Sequence, residues 1–243
     1  MTFNSRSFDD LDALYAKIRG ENREAIIEND IVVDPLPLPG ELRWGISTVF
    51  RPKLSTELWR DISELRNTLG NAHAAYDQSS VHVTVRSNEG FRPNIADDDH
   101  DVVGYADAMQ AAIEDYAPLE VSFKGLIGVR TGVLLCGYPH FDLIELRRRY
   151  FLELEARKLI RPGPEPTIEK VRNTCHASMI MFSELLSDPK KFASHLDKLV
   201  DRDYGTVVID EFDIVSYSRT LSDIKTATHA TVPARNVRES SLT

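Results

Sequence analysis

The sequence of 243 residues predicts a mixed α+β fold: two related, pseudo-symmetric lobes, each an antiparallel sheet flanked by helices, with a groove between them. Three observations carry this. A strand–helix–strand order occurs twice along the chain. Each copy ends in a strand with a histidine near its start, His82 in the first and His176 in the second. Two further strand pairs, one between the copies and one near the end, supply the rest of the sheets.

The elements follow in order. Residues 8–29 read as a helix, because Phe8, Leu11, Leu14, Tyr15 and Ile18 recur at helical spacing and Asp9 and Asp10 suit its first turn. The run from Pro35 to Gly40 holds three prolines, Pro35, Pro37 and Pro39, and forces an extended connector. Residues 1–40 are therefore expected to form an appendage packed on a main domain of residues 41–232. Within that domain Leu42–Phe50 is strand-like. A helix over 54–69 carries Leu54, Leu58, Ile62, Leu65 and Leu69 on one face, with Gly70 as its stop. The strand Val81–Arg86 completes the first copy.

A helix is expected near 102–115. The second half opens with a hairpin, Leu119–Val129 and Val133–Tyr138, turning at Arg130-Thr131-Gly132. A helix over 141–159 ends in the Pro/Gly loop Arg161–Pro166, and the strand Cys175–Phe182 follows. A helix near 188–200 and strands around 206–218 and 224–232 close the domain. Residues 233–243 are polar and unpatterned and are expected to be a loose tail.

Composition narrows the function. A hydrophobic content of 42% and a charged content of 28% are those of an ordinary globular protein. The two cysteines, Cys136 and Cys175, sit in or beside apolar runs and read as small buried hydrophobes in a reducing compartment. No run of 18 apolar residues offers a membrane span, and an acidic helix follows the first residues where a signal peptide would need an apolar run. A cytoplasmic location is expected. The net charge of −9 disfavours a sequence-independent grip on long nucleic acid. The partner that fits is a nucleotide or a short RNA end; the oligomeric state is left open.

The histidine strands carry the chemistry. Side chains alternate faces along a strand. In Val81-His82-Val83-Thr84-Val85-Arg86 the valines share the core face, and His82, Thr84 and Arg86 share the other. In Cys175-His176-Ala177-Ser178-Met179-Ile180-Met181 the same rule puts His176 beside Ser178, and Cys175, Ala177, Met179 and Met181 toward the core. Each strand thus presents an imidazole and a hydroxyl two residues apart, and the histidines lie 94 residues apart (176 − 82).

Phosphodiester cleavage needs a base for the attacking hydroxyl, an acid for the leaving oxygen, and donors for the charge that develops on phosphorus. Two imidazoles with ordinary pKa near ~6.5 can hold opposite protonation states near neutral pH. Thr84 and Ser178 are candidates for the donors. The scheme calls for no metal and no cofactor.

Two hydrophobic-His-x-Thr/Ser-hydrophobic strands, one in each half of the chain, resemble the signature of the 2H phosphoesterases, which include 2′-5′ RNA ligase-like proteins and 2′,3′-cyclic nucleotide phosphodiesterases. The resemblance covers roughly residues 42–232. It implies a bilobal fold with both motifs in one groove, and cleavage of a cyclic or 3′-terminal phosphodiester of a nucleotide or an RNA end. It also implies that one histidine activates water and the other protonates the leaving oxygen, with His176 as the base and His82 as the acid. Two alternatives stand beside this reading: a module that binds a nucleotide or phosphate ligand without turnover, and a nuclease for cyclic oligonucleotides or linear RNA.

Other residues are weighed against simpler roles. Arg86 is a candidate phosphate or nucleotide contact, because it is expected on the face of His82. Tyr217 and Arg219 lie two apart near the final strand pair and are candidates to line the groove, where an aromatic ring and a guanidinium suit stacking on bases. Asp97-Asp98-Asp99-His100-Asp101 reads as an acidic loop and helix start rather than a metal site. Arg147-Arg148-Arg149 reads as a solvated helix face, and Met179 and Met181 as core. His73, His140, His195 and His229 have no partner pattern.

Overall fold

The computed structural model describes residues 7–34, 36–38, 40–69, 72–116 and 119–234. Pro35, Pro39, Gly70 and residues 235–243, expected as connector, helix stop and tail, lie outside the described residues. In chain order the elements are α1 (Phe8–Ile27), β1 (Ser47–Phe50), α2 (Thr56–Leu69), β2 (Ala74–Ala75), β3 (Val83–Ser87), α3 (His100–Ala112), β4 (Glu120–Val129), β5 (Gly132–Pro139), α4 (Leu143–Ala156), β6 (Cys175–Met181), α5 (Pro189–Leu196), β7 (Asp203–Val208), β8 (Glu211–Arg219) and β9 (Ile224–Pro233).

Every strand joins one sheet in the order β7-β4-β5-β6-β3-β1-β8-β9, with the short β2 paired to β6 off that path. The ladders between these strands are antiparallel. The fold is α+β, as the sequence predicts, but the expected separate sheets are two four-stranded halves of a single sheet. Those halves meet at β3 and β6, the two histidine strands, through one paired position, Val83 with Ala177. The two copies, β1-α2-β3 and β5-α4-β6, occupy matching places on either side of that junction.

Helical periodicity explains the core face. Leu58, Ile62, Leu65 and Leu69 of α2, Tyr105 and Met109 of α3, and Leu146 and Tyr150 of α4 are buried in one cluster with Val83, Val85, Ala177 and Met179 of the central strands. The strand expected at Leu42–Phe50 begins only at Ser47, because the segment before it is bent, with Trp44 at φ +64°. The single strand expected at 206–218 is two, β7 and β8.

The N-terminal segment is tied to the sheet at several places. Ser7 and Asp10 form a capping box on α1. Leu11 and Tyr15 of that helix pack against Ile127, Cys136 and Tyr138. Cys136 is the ladder partner of His176, and ladder partners share a face, so α1 covers β5 on the same face of the sheet as His176, beside the strand that carries it. The Tyr15 hydroxyl meets the backbone at Gly137 and Cys175, accepting from the Cys175 N–H at 3.1 Å. Farther on, Asp34 donates its N–H to the Phe182 carbonyl and pairs through its buried carboxylate with Arg43 and Arg219.

Candidate active site

Pairing of Val83 with Ala177 fixes the geometry of the two motifs. By the antiparallel count, His82 faces Ser178 and Thr84 faces His176 across the junction. The histidines therefore occupy one diagonal of a four-residue patch and the hydroxyls the other. Diagonal neighbours on adjacent strands lie about 7–8 Å apart, which leaves room for a phosphate between the rings. All four side chains line one cleft of about 220 Å³, together with Trp44, Ser47, Tyr76, Ser87, Arg172 and Tyr217.

Simple alternation stops at the same place in both strands. Thr48 pairs with Arg86 but Val49 with Thr84, so Val85 is the extra residue of a β-bulge. Val133 pairs with Ile180 but Leu134 with Ser178, so Met179 is the extra residue of a second. Each bulge comes three residues after its histidine, and the two are again 94 apart (179 − 85). A bulge puts two successive side chains on one side and re-aims the rest of the strand. Val85 and Arg86 thus both face the core, and Ser87 returns to the cleft. Met179 and Ile180 both face the core, and Met181 returns to the cleft.

Two expectations are corrected by this. Arg86 does not line the cleft: it is buried, with its guanidinium 4.8 Å from the Phe151 ring and bonded to Glu165. Met181 is cleft wall, not simple core. Two cations do reach the cleft, neither of them in the strand motifs: Arg43, paired with Asp34, and Arg172. The Arg172 guanidinium bonds Glu165 at 2.5 Å and the Ser87 hydroxyl at 3.2 Å. Glu165 is buried in the Pro/Gly loop and serves both Arg86 and Arg172, so the loop that breaks the chain after α4 aims Arg172.

Each ring is oriented by a neighbour. The turn before β3 is built on Asp77, whose carboxylate accepts from the N–H and hydroxyl groups of Ser79 and Ser80. That turn presents the Ser80 carbonyl to Nδ1 of His82 at 2.8 Å. A carbonyl only accepts, so Nδ1 carries the proton, and Nε2 of the neutral ring accepts from the Tyr217 hydroxyl at 3.1 Å. The Tyr76 and Tyr217 rings flank the imidazole at 5.5 and 5.3 Å. His176 Nδ1 lies 2.8 Å from the Thr174 hydroxyl.

Burial pushes both rings toward the neutral form. His82 is held down to about 4, chiefly by desolvation and further by Arg51 and Arg172, against the Ser80 carbonyl, which favours the protonated ring. His176 is held down to about 3 by desolvation, then by Arg172, Arg147 and His82. The cleft is thus a positive place that a bound anion would relieve.

Beneath the motifs lies Arg147 of α4. The expected solvated face is corrected here, since Arg147 is only 2% exposed. Its guanidinium donates to four backbone carbonyls: Thr84 at 2.7 Å, Val85 at 3.1 Å, and Arg172 and Thr174 at 2.8 Å each. The bulge leaves Val85 outside the ladder, and Arg147 supplies its carbonyl with a donor while holding β3 against the approach to β6. Burial lowers its pKa to about 10, so it stays charged.

Tyr217 and Arg219 share a face, as expected, and both touch Trp44: Tyr217 edge-on at 5.7 Å, Arg219 through its guanidinium at 5.2 Å. Tyr217 lines the cleft, whereas Arg219 lies behind Trp44, buried with Asp34. In the acidic run, Asp99 caps α3 and pairs with Arg92, and Asp101 pairs with Arg161. Among the described residues no group of three or more His, Cys, Asp or Glu side chains is arranged to hold a metal. No helix there is long and apolar enough to cross a membrane.

The α+β fold of the chain is similar to that of several solved structures. Among solved structures, TT0787 of Thermus thermophilus matches with a TM-score of 0.54 at 11% identity, over 79% of this chain and 98% of that one. E. coli LigT complexed with 3′-AMP matches with a TM-score of 0.44 at 14% identity, over 78% and 97% of the two chains. A structure described as a phosphoesterase matches with a TM-score of 0.45 at 13% identity, over 78% and 97%. At these identities the likeness is one of fold. No family model matches the sequence, and no curated protein does.

Proposed function

We propose that the chain is a metal-independent phosphodiesterase acting on 2′,3′-cyclic phosphates of nucleotides or RNA ends. The observation that carries this is the diagonal placement of His82 and His176, with Thr84 and Ser178 on the other diagonal, in one cleft.

In this scheme the phosphate lies between the rings, with its non-bridging oxygens toward the Thr84 and Ser178 hydroxyls and the Arg172 guanidinium. His176 takes a proton from water as the water oxygen attacks phosphorus. His82 gives its Nε2 proton to the leaving ribose oxygen as the P–O bond breaks. The products are a ribose hydroxyl and a phosphate monoester. The proton taken by His176 returns to His82 through solvent. Entry of the anionic diester raises both imidazole pKa values and supplies the protonated acid that the unliganded cleft disfavours.

One observation favours the alternative of a binding module. Both rings are held neutral in the free protein, a state that delivers no proton to a leaving oxygen. Incubation with 2′,3′-cyclic AMP and with RNA bearing a terminal cyclic phosphate, in EDTA, separates the readings. Mass spectrometry is expected to show the monoester. Calorimetric affinity with no product would replace catalysis by binding.

A further inference from the structure

The cleft is small for an oligonucleotide end. At about 220 Å³ it lies below the ~300–1,000 Å³ of typical small-molecule sites. A second hollow of about 400 Å³ begins where the cleft ends, and Trp44 and Tyr217 are walls of both. We propose that this second hollow takes a nucleobase, so that the substrate is an oligonucleotide end whose terminal phosphodiester sits between the histidines and whose next base lies beyond Trp44. This rests on the phosphodiesterase reading and narrows it to a preference for substrates of at least two bases over a cyclic mononucleotide.

The lining selects a flat neutral ring over a second anion. Phe91, Pro93 and Ile95 form one side, and Leu36 and Pro37 of the N-terminal connector another. The two guanidinium groups at the hollow are committed elsewhere. Arg92 is bonded to Glu89 and Asp99, and Arg219 to Asp34. A phosphate there would compete with carboxylates already in place, whereas an aromatic base needs only apolar and π faces, which such sites use for stacking.

The wall is also preset. Trp44 sits at φ +64°, a backbone region that bulky side chains avoid. Its neighbour Gly45 makes this bend possible, since a Cβ there would collide with the Glu89 carbonyl oxygen. Trp44 is then held by Arg219, whose guanidinium lies over its ring, and by Tyr217, the partner of His82, which meets it edge-on. The connector thus acquires a role: Asp34 anchors Arg219 beneath Trp44, and Leu36 and Pro37 close the hollow.

The test uses one chemistry with and without the second base. In the His176→Ala protein, which is not expected to turn over, calorimetry compares 2′,3′-cyclic AMP with the dinucleotide ApA ending in a 2′,3′-cyclic phosphate. The dinucleotide is expected to bind about tenfold tighter. Adding Phe91→Ala or Ile95→Arg is expected to erase that advantage and leave cyclic AMP within about twofold, with melting curves showing that each variant folds. If only one variant folds, that one decides. Equal affinity for the two ligands in the parent, or equal weakening of both by the added substitution, overturns the subsite. Wild-type protein that cleaves neither ligand while the affinities follow this pattern overturns the phosphodiesterase reading and leaves the subsite standing.

Discussion

The Tyr217 hydroxyl donates to Nε2 of His82 at 3.1 Å, while Nδ1 of the same ring is held by the Ser80 carbonyl at 2.8 Å. The ring is therefore fixed in one tautomer, and its cleft-facing nitrogen is engaged by a phenol that a substrate oxygen must displace. Tyr217→Phe removes this donor and keeps the ring. Because this bond is made in the free protein and must break before Nε2 can meet the leaving oxygen, its loss is expected to raise kcat/KM by up to about five- to tenfold, the value of one neutral hydrogen bond. It should also raise the His82 pKa, because the bond supports the neutral imidazole. Steady-state kinetics with imidazole titration by NMR checks both.

Arg147→Met tests the clamp on the two strands. Four carbonyls lose their donor, including the bulge carbonyl of Val85. The expected loss of stability is about 3–5 kcal/mol in urea unfolding, from buried polar groups left without partners. Among the molecules that stay folded, the His176 pKa should rise, because Arg147 is one of the cations that depress it. Arg147→Lys keeps the charge without the fork and should recover the pKa more fully than the stability.

Arg172 is the cation expected to meet the phosphate. Arg172→Met should raise KM about tenfold or more with a smaller change in kcat, the pattern of lost binding in ground and transition states alike. Glu165→Gln leaves Arg172 in place but removes the buried carboxylate that aims it. It should give a weaker version of the same defect. A kcat loss with unchanged KM would move Arg172 out of the binding role.

The pH dependence has a definite sign. In the free protein the two imidazoles are depressed to about 4 and about 3. The singly protonated pair is therefore populated at acid pH and is lost as pH rises, and kcat/KM should fall toward neutrality. A bound diester anion raises both pKa values, so the limbs of the kcat profile should lie at least about one unit higher. The apparent values belong to the coupled pair, not to either ring alone. Coincident kcat and kcat/KM profiles would remove the anion from this role.

Alternation of side chains was enough to place His82, Thr84, His176 and Ser178 on one face, since that rule holds up to the third residue of each motif. It fails at Val85 and Met179, where the bulges sit, and for that reason Arg86 and Met181 exchange the faces expected of them. No local pattern marks a bulge in Val83-Thr84-Val85, whose residues all suit a regular strand. Arg147 was hidden for a related reason. In a run of three arginines it looks solvated, and only the unpaired carbonyls of the distant strand call it inward. Arg172 and Trp44 come from irregular segments, which carry no periodic signal. Arg172 lies only four residues before His176, so a cation beside the motif is nonetheless legible in the sequence.

The most direct measurement is hydrolysis of 2′,3′-cyclic AMP, with EDTA present, by wild type, His82→Ala, His176→Ala and the double variant. Each single substitution is expected to lower kcat/KM by roughly 10²–10⁴-fold, and the double by little more, because the two rings act as a unit. Melting curves like that of wild type would show that the loss in each variant is chemical. Turnover in wild type that persists at the same rate in both single variants would contradict the paired-histidine mechanism.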